Sequence, residues 1–199
     1  MTARPLGSRG NGPRLGVDGA TPFLALGLWW PADGRVARAD ARVDRRAAAE
    51  IVARVDAFLA NHGVTADDLT GIGVGVGPGS YTGARVAVAW ASGMARALGI
   101  PLVGGDTLAA RAAAWLAPDA DGEVAVEARR GEAWVQAWHR PRVGAPDPVG
   151  PRRIERVDAL SFDARASLAC APDAAVHAQR VGRSDAEPPR VRYPPTASP

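Results

Sequence analysis

Glycine occupies every second position between residues 71 and 77, and the positions between them hold isoleucine or valine. This alternation has the period of a β-strand, so Ile72, Val74 and Val76 share one face of it. The other face carries only hydrogen atoms. Because glycine inside a strand costs stability, the pattern predicts that a helix or another stretch of backbone packs closely on the bare face.

The segment after this strand reads Gly-Pro-Gly-Ser-Tyr-Thr-Gly-Ala-Arg from Gly77 to Arg85. It leads into a predicted helix, from about Ser80 to Leu98, and then into a predicted strand at 99–104. The order strand, turn, helix, strand predicts a parallel pair of strands. The chain contains no lysine, which excludes a Walker A phosphate loop and a lysine Schiff base.

A dinucleotide-binding turn is a second interpretation of this segment. Gly77, Gly79 and Gly83 lie between a strand and a helix, and Asp106 follows the next strand, where an acidic residue would hold a ribose hydroxyl. The glycine spacing is one residue longer than the strict fingerprint. This interpretation predicts a nucleotide- or dinucleotide-dependent enzyme that uses the Gly77–Gly83 turn.

A purely structural role is the third interpretation. The glycines give a tight strand-to-helix turn, Pro78 stiffens it, and Ser80 or Thr82 caps the helix by accepting from its first free amides. A helix N-terminus of this kind also attracts anions. Taken from the residues alone, this interpretation explains the turn best.

The segments on either side of the turn predict further sheet and helix. Residues 15–30 form two apolar strands around a turn at 18–22, and 35–43 continues the sheet as a more polar strand. A helix capped by Asp44 then places apolar side chains on one face, and a single capped turn lies at 65–69. The apolar side chains of that helix are Ile51, Val55, Phe58 and Leu59.

The second half of the chain predicts a helix at 107–115 and a hairpin of 123–128 and 133–139 around Arg129–Glu132. Beyond Arg140 proline and arginine become denser and the periodicity weakens. This part is expected to be a small loop-rich lobe, a partly ordered tail, or both.

Composition narrows the class of protein. A hydrophobic fraction of 47% with 23% charged residues is typical of a globular chain. The single cysteine, Cys170, cannot form an internal disulfide and is expected to be small and half-buried. No apolar run is long enough for a membrane span, and 1–13 lacks the apolar run of a signal peptide, so a cytoplasmic protein is expected. The three scattered histidines predict no metal site.

The turn and the strand after its helix resemble the signature of the TsaB (YeaZ) family. Gly77–Arg85 is similar to the family's Gly-Pro-Gly-Ser-Phe-Thr-Gly-Leu-Arg, and Ala95–Val103 to its helix end and Gly-Ile-Pro-Leu-Val strand. Gly16–Gly19 and Glu127–Glu132 resemble two further family elements in the expected order. The resemblance covers about residues 15–139.

The resemblance implies an α/β fold of the actin, Hsp70 and sugar-kinase type, with two lobes on ribonuclease-H-type sheets and a reduced second lobe. We expect a loose leader at 1–13, a first lobe at 14–106, and a smaller second lobe with a loop-rich tail at 107–199. Asp18 and Thr21 fall on the first phosphate turn of that fold. We interpret them as an inherited, vestigial turn.

The resemblance also implies a function. TsaB-like proteins are non-catalytic partners in making threonylcarbamoyladenosine at position 37 of tRNA, and the catalytic relative TsaD carries a paired-histidine metal motif that this chain lacks. The expected partners are a TsaD-type catalytic subunit, a TsaE-type ATPase, and a second copy of the chain when TsaD is absent; tRNA is contacted through the complex. No cofactor of its own is expected, and ATP or ADP only at the partner interface. Arginine abundance alone gives weak support for direct tRNA binding.

The predicted helix after the turn offers a surface for pairing. Val86, Trp90, Met94 and Leu98 form an apolar stripe expected to cover the sheet, while Ala84, Ala87, Ala91 and Ala95 leave a small surface for another helix. The alternative is that both faces are interior. The residues expected at a partner interface or anion site are Gly77, Pro78, Gly79, Ser80, Tyr81, Thr82, Gly83, Arg85, Ala87, Trp90, Ala91 and Met94.

Overall fold

A computed structural model describes residues 11–43, 47–129, 131–183 and 186–190, and in these ranges the chain forms nine strands and five α-helices. The strands are β1 (Arg14–Asp18), β2 (Phe23–Trp29), β3 (Val36–Arg42), β4 (Ile72–Gly75), β5 (Leu102–Gly105), β6 (Ala120–Glu127), β7 (Glu132–Arg140), β8 (Asp147–Pro148) and β9 (Arg153–Arg156). The helices are α1 (Ala47–Asn61), α2 (Tyr81–Leu98), α3 (Thr107–Trp115), α4 (Phe162–Ser167) and α5 (Ala175–Arg180).

The first sheet has the strand order β3-β2-β1-β4-β5. β1, β2 and β3 are antiparallel neighbours, whereas β4 runs parallel to both β1 and β5. Helix α2 connects β4 to β5, which confirms the predicted strand-helix-strand unit and its parallel pair. The predicted turn at 18–22 and the polar third strand are confirmed as well.

One face of this sheet carries the larger apolar core. Helices α1 and α2 pack over it, and the side chains of β1, β2 and β4 that point toward them are fully buried. The predicted apolar face of α1 is confirmed, since each of its four apolar residues is at most 5% exposed. The predicted cap at Asp44 lies outside the described residues. Thr65 caps a short 3-10 turn at Ala66–Asp68, as predicted.

The opposite face is the bare one, and α5 packs directly on it. A Cβ added at Gly16 would lie 1.7 Å from the carbonyl oxygen of Ala174, and one at Gly73 would lie 2.0 Å from that of His177. At Gly27 the added atom would meet the amide nitrogen of Ala175 at 2.3 Å. Glycine on three adjacent strands therefore lets helix backbone approach the sheet, and the close approach predicted from the alternating glycines is confirmed.

The second sheet is built on the β6–β7 hairpin, which confirms the predicted pair of strands. β8 and β9 both pair with β7, and helices α3 and α4 contribute to separate apolar clusters with side chains of the sheet. Arg130, in the predicted hairpin turn, lies outside the described residues. The part of the chain beyond Arg140, which the sequence predicts to be rich in loops, therefore contains two strands and two helices between residues 147 and 180. Residues 191–199 are not described.

A buried arginine connects the two helices of this sheet. Arg111 of α3 is 1% exposed and donates a hydrogen bond to the carbonyl oxygen of Ser167, the last residue of α4. Burial lowers the pKa of its guanidinium to about 10. Ser167 also accepts from the amide of Ala125, so α3, α4 and β6 share one polar contact network.

The α/β fold class is confirmed by these two mixed α/β layers. The division into lobes at residue 106 stays a prediction. One helix from beyond that residue, α5, packs on the first sheet although it follows the second sheet in the chain. Most of the predicted leader also lies outside the described residues. Among the described helices, none combines the length and hydrophobicity needed to cross a membrane.

The single cysteine is half-buried, as predicted. Burial raises the pKa of the Cys170 thiol, and the carboxylates of Asp40 and Asp173 add to the increase while Arg111 opposes it. The thiolate is the reactive form, so we expect iodoacetamide to label Cys170 more slowly than free cysteine at pH 8. The labelling rate of Cys170 should still increase with pH above the pH at which the labelling rate of free cysteine becomes constant. Mass spectrometry of labelling against pH measures this, and a profile identical to that of free cysteine would contradict it.

Candidate partner-binding site

The turn between β4 and α2 is fastened to its neighbours by backbone contacts. The amide of Ser80 donates to the carbonyl oxygen of Ala20 at 2.6 Å, and Gly77 exchanges hydrogen bonds with Thr107, at the start of α3. Gly77 and Gly79 have φ values of 95° and 143°, and the Gly77–Pro78 peptide is cis. A Cβ at Gly79 would lie 2.0 Å from the carbonyl oxygen of Ala20. Glycine here permits both the conformation and the close approach.

Ser80 is the cap of α2. Its hydroxyl oxygen accepts from the amide of Gly83 at 3.2 Å, and Gly99 ends the helix in the left-handed conformation. The structural interpretation of the turn named Ser80 or Thr82, and the geometry selects Ser80. Thr82 is exposed on the first turn of the helix.

The carboxylate of Asp18 is fully buried and held within the chain. Its Oδ1 accepts from the amide of Ala20 at 2.9 Å. Its Oδ2 accepts from the hydroxyl of Thr107 at 2.9 Å and lies 2.8 Å from Nε2 of His177. This network joins β1, α3 and α5, so Asp18 acts as a structural junction. That this turn is a vestigial phosphate turn stays a prediction.

Thr21 completes the turn with local hydrogen bonds. It is 4% exposed, and its hydroxyl oxygen accepts from the amide of Phe23 at 3.2 Å. Such side-chain bonds to the backbone two residues onward stabilise turns. The two residues of the predicted phosphate turn therefore both bond within the protein.

His177 is the member of this network that the sequence did not reveal. It lies 159 positions from Asp18, and neither its spacing nor its neighbours distinguish it from the other two histidines. Its ring is 1% exposed, and Nδ1 has no hydrogen-bond partner among the described residues. A Cβ at Gly105 would lie 2.1 Å from this Nδ1. Glycine at the end of β5 thus makes room for the ring.

Asp106, which the dinucleotide interpretation places at a ribose hydroxyl, contacts other parts of the chain. One of its carboxylate oxygens caps α3 by accepting from the amides of Leu108 and Ala109, and the other pairs with Arg152. Both oxygens are therefore engaged in holding α3 and the segment before β9. A ribose hydroxyl would have to displace one of these contacts.

The assignment of the two sides of α2 is corrected by the structure. Ala84, Ala87, Ala91 and Ala95 face the sheet and are at most 5% exposed. Val86, Trp90, Met94 and Leu98 are half-buried and pack along the margins of the same core. The predicted interface residues Ala87 and Ala91 are therefore interior, because small side chains let α2 lie close to the sheet.

The outward side of α2 carries a different set of residues. Five of its exposed positions follow helical spacing along one side and are Thr82, Arg85, Ala89, Gly93 and Arg96; Tyr81 and Ala97, near its two ends, are exposed as well. The guanidinium of Arg85 lies 5.0 Å from the ring centre of Tyr81, which is 42% exposed. A Cβ at Gly93 would have no neighbour within 4 Å. We call this set the outer face of α2; sequence reasoning included Thr82 and Arg85 but missed Ala89 and Gly93.

The turn residues predicted to reach a partner divide in the same way. Gly77 and Pro78 are buried, Gly79 and Gly83 are half-buried, and Ser80 and Tyr81 are exposed. The exposed members lie next to the outer face of α2 at its N-terminal end. Together they form one continuous surface, whose contact with a partner stays a prediction.

Comparisons with known proteins identify relatives. The family model described as TsaD: tRNA N6-adenosine threonylcarbamoyltransferase matches residues 41–145, which is more than half of the chain. The Escherichia coli tRNA threonylcarbamoyladenosine biosynthesis protein TsaB is 31% identical over 132 residues, or 65% of this chain and 56% of that protein. An uncharacterized protein of Mycobacterium tuberculosis is 41% identical over 91 residues, or 45% of this chain and 43% of its own length.

The solved structure of YeaZ from Pseudomonas aeruginosa shares the fold, with a TM-score of 0.63 at 23% sequence identity. The match covers 76% of this chain and 70% of that one. The chain spans little more than half the length of the curated TsaB relative. From the family match, the TsaB relative and the fold shared with YeaZ, we conclude that the chain belongs to the TsaB (YeaZ) family.

Proposed function

We propose that this chain is a non-catalytic subunit in the synthesis of threonylcarbamoyladenosine in tRNA. In this role it pairs with a TsaD-type transferase and activates it, and the chemistry takes place on the partner. The observation that carries the proposal is the 31% identity over 132 residues to the tRNA threonylcarbamoyladenosine biosynthesis protein TsaB of Escherichia coli. The match of residues 41–145 to the TsaD family model agrees with it.

The positions of the titratable side chains support a non-catalytic role. Asp18 and His177 are at most 1% exposed and bond to each other. His139 pairs with Asp121 at the hairpin end, and the ring of His62 lies edge-on to Phe58. In the described part of the chain, no three histidine, cysteine or acidic residues are grouped to hold a metal. These histidines thus serve separate local contacts.

The outer face of α2 supports pairing through this helix. Glycine within an exposed helix costs about 1 kcal/mol relative to alanine. Gly93 occupies such a position without any neighbour that needs its small size within the chain. A partner helix that approaches Ala89 and Gly93 explains the small residues, and Arg85 and Arg96 then provide polar contacts at the rim.

The remaining partners belong to the same proposal. A TsaE-type ATPase joins the assembly, tRNA is bound through the complex, and ATP or ADP is held only where subunits meet. In the absence of the transferase, a second copy of the chain occupies the outer face of α2. The complex is expected to be located in the cytoplasm.

The test is copurification with the TsaD-type subunit of the same organism. Ala89→Glu places a charge in the middle of the outer face of α2, where a packed partner would have to bury it. We expect binding to weaken by about tenfold or more, because a buried charge without a partner is costly. Circular dichroism should show a folded variant, since Ala89 is exposed.

Ala117→Glu is the matched control, since it makes the same substitution at an exposed alanine after α3. It should leave copurification unchanged. If Ala89→Glu binds as tightly as the unmodified chain, pairing through the outer face of α2 is wrong. If no transferase copurifies with the unmodified chain, the proposed function itself is wrong.

A further inference from the structure

A cavity of about 510 Å³ lies between the first sheet and the elements of the second. It opens beside β2 and β3 on the side covered by α5, and α3, the end of β7 and the loop after α4 complete it. Its lining includes Phe23, Arg38, Asp40, Arg140 and Cys170. Ligand sites commonly have volumes of roughly 300–1,000 Å³ and occur where two structural layers meet.

Two charges in the cavity neutralise each other. The Nε of Arg38 lies 2.8 Å from Oδ2 of Asp173, whose side chain is 6% exposed. Asp173 also accepts from the amide of Ala175, at the start of α5. This pair is therefore committed to holding α5 against the edge of the sheet and leaves no net charge for a ligand.

Asp40 and Arg140 are the two charged groups that remain. Asp40 is exposed on β3 and makes no ion pair or side-chain hydrogen bond within the described residues. Arg140 donates one hydrogen bond from its guanidinium to the carbonyl oxygen of Leu116 and is among the residues that line the cavity. The cavity thus presents one negative and one positive group to a ligand.

The rest of the cavity wall mixes polar and apolar surface. Phe23 contributes from β2, and alanines of α3 and of the loop after α4 supply small side chains. A cavity with two opposite charges matches a small molecule that carries both an ammonium and a carboxylate. A ligand with a single charge would leave one of these groups unpaired.

We propose that this cavity binds a zwitterionic amino-acid-type ligand, its ammonium at Asp40 and its carboxylate at Arg140. The volume accommodates a free amino acid or a dipeptide. The site is separate from the outer face of α2 and does not depend on the proposed function. It adds a small-molecule site to a chain for which no ligand of its own was expected.

Cys170 provides a built-in reporter of occupancy. It lines the cavity and is the chain's single cysteine, so every labelling event reports from this place. The probes are L-leucine, L-leucinamide, which lacks the carboxylate, and N-acetyl-L-leucine, which lacks the ammonium. We expect L-leucine at about 10 mM to slow labelling by a thiol reagent severalfold, and each derivative to protect about tenfold more weakly.

Asp40→Asn tests the ammonium contact. The variant should fold normally because Asp40 is exposed, and protection by L-leucine should weaken to the level given by N-acetyl-L-leucine. Asp147→Asn, at an exposed aspartate of β8 outside the cavity, is the matched control. In this variant L-leucine should slow the labelling of Cys170 as much as in the unmodified chain. Equal protection by all three probes, unchanged protection in Asp40→Asn, or no protection by L-leucine would each overturn the proposal.

Discussion

Replacing Gly73 by alanine is expected to lower the free energy of unfolding by about 3 kcal/mol or more. The new Cβ would lie 2.0 Å from the carbonyl oxygen of His177 and 2.8 Å from the amide nitrogen of Ala178. Both are backbone atoms of α5, so no side chain can move aside. The helix must shift from the sheet, which also separates His177 from Asp18. Urea unfolding followed by tryptophan fluorescence measures the loss.

Gly93→Ala is the matched control because it makes the same substitution at an unobstructed site. Gly93 lies within α2 and has no neighbour within 4 Å of an added Cβ. Alanine there should raise the stability of the isolated chain by about 1 kcal/mol, since it favours the helix. If Gly73→Ala were as stable as the unmodified chain, the direct packing of α5 on the sheet would be wrong.

Asp18→Ala is expected to lower the free energy of unfolding by about 3–5 kcal/mol. The substitution leaves three buried donors without their acceptor: the amide of Ala20, the hydroxyl of Thr107 and the ring nitrogen of His177. Asp18→Asn keeps the volume and one acceptor oxygen, so its loss should be smaller. Urea unfolding of both variants measures the two losses of stability. Their comparison separates the contribution of the hydrogen bonds from that of the lost side-chain volume.

Asp147→Ala serves as the exposed control, and its stability should equal that of the unmodified chain within error. Calorimetry with ATP gives a second readout on Asp18 itself. A stable Asp18→Ala variant that had lost ATP binding would show that the carboxylate serves a nucleotide rather than the fold. Loss of stability without any ATP binding by the unmodified chain agrees with the structural role.

The alternating glycines show what a local sequence pattern can predict and what it cannot. Their spacing predicted a strand with one bare face and a close neighbour upon it, because a missing Cβ has a steric meaning wherever it occurs. The identity of the neighbour was beyond that pattern. The helix on the bare face, α5, begins about 100 residues later in the chain, where alanine-rich sequence has no distinctive period.

Helix α2 shows the opposite case. Its existence and its two kinds of surface were correctly predicted from spacing, and its cap at Ser80 is one of the two that the sequence offered. Which surface meets the sheet was predicted wrongly, since larger apolar residues ordinarily fill a core. Here the four alanines Ala84, Ala87, Ala91 and Ala95 face the sheet instead, and their small side chains let the helix lie close to it.

The sequence by itself determined the elements of the first sheet, the turn at Gly77–Ser80, the hairpin of the second sheet and the family, because these follow from residues close together in the chain. The tertiary structure alone decided that Asp18 is sealed by His177, that the alanines of α2 face inward, and that Asp40 and Arg140 share a cavity. Each of these depends on contacts between residues far apart in sequence, which no local period encodes.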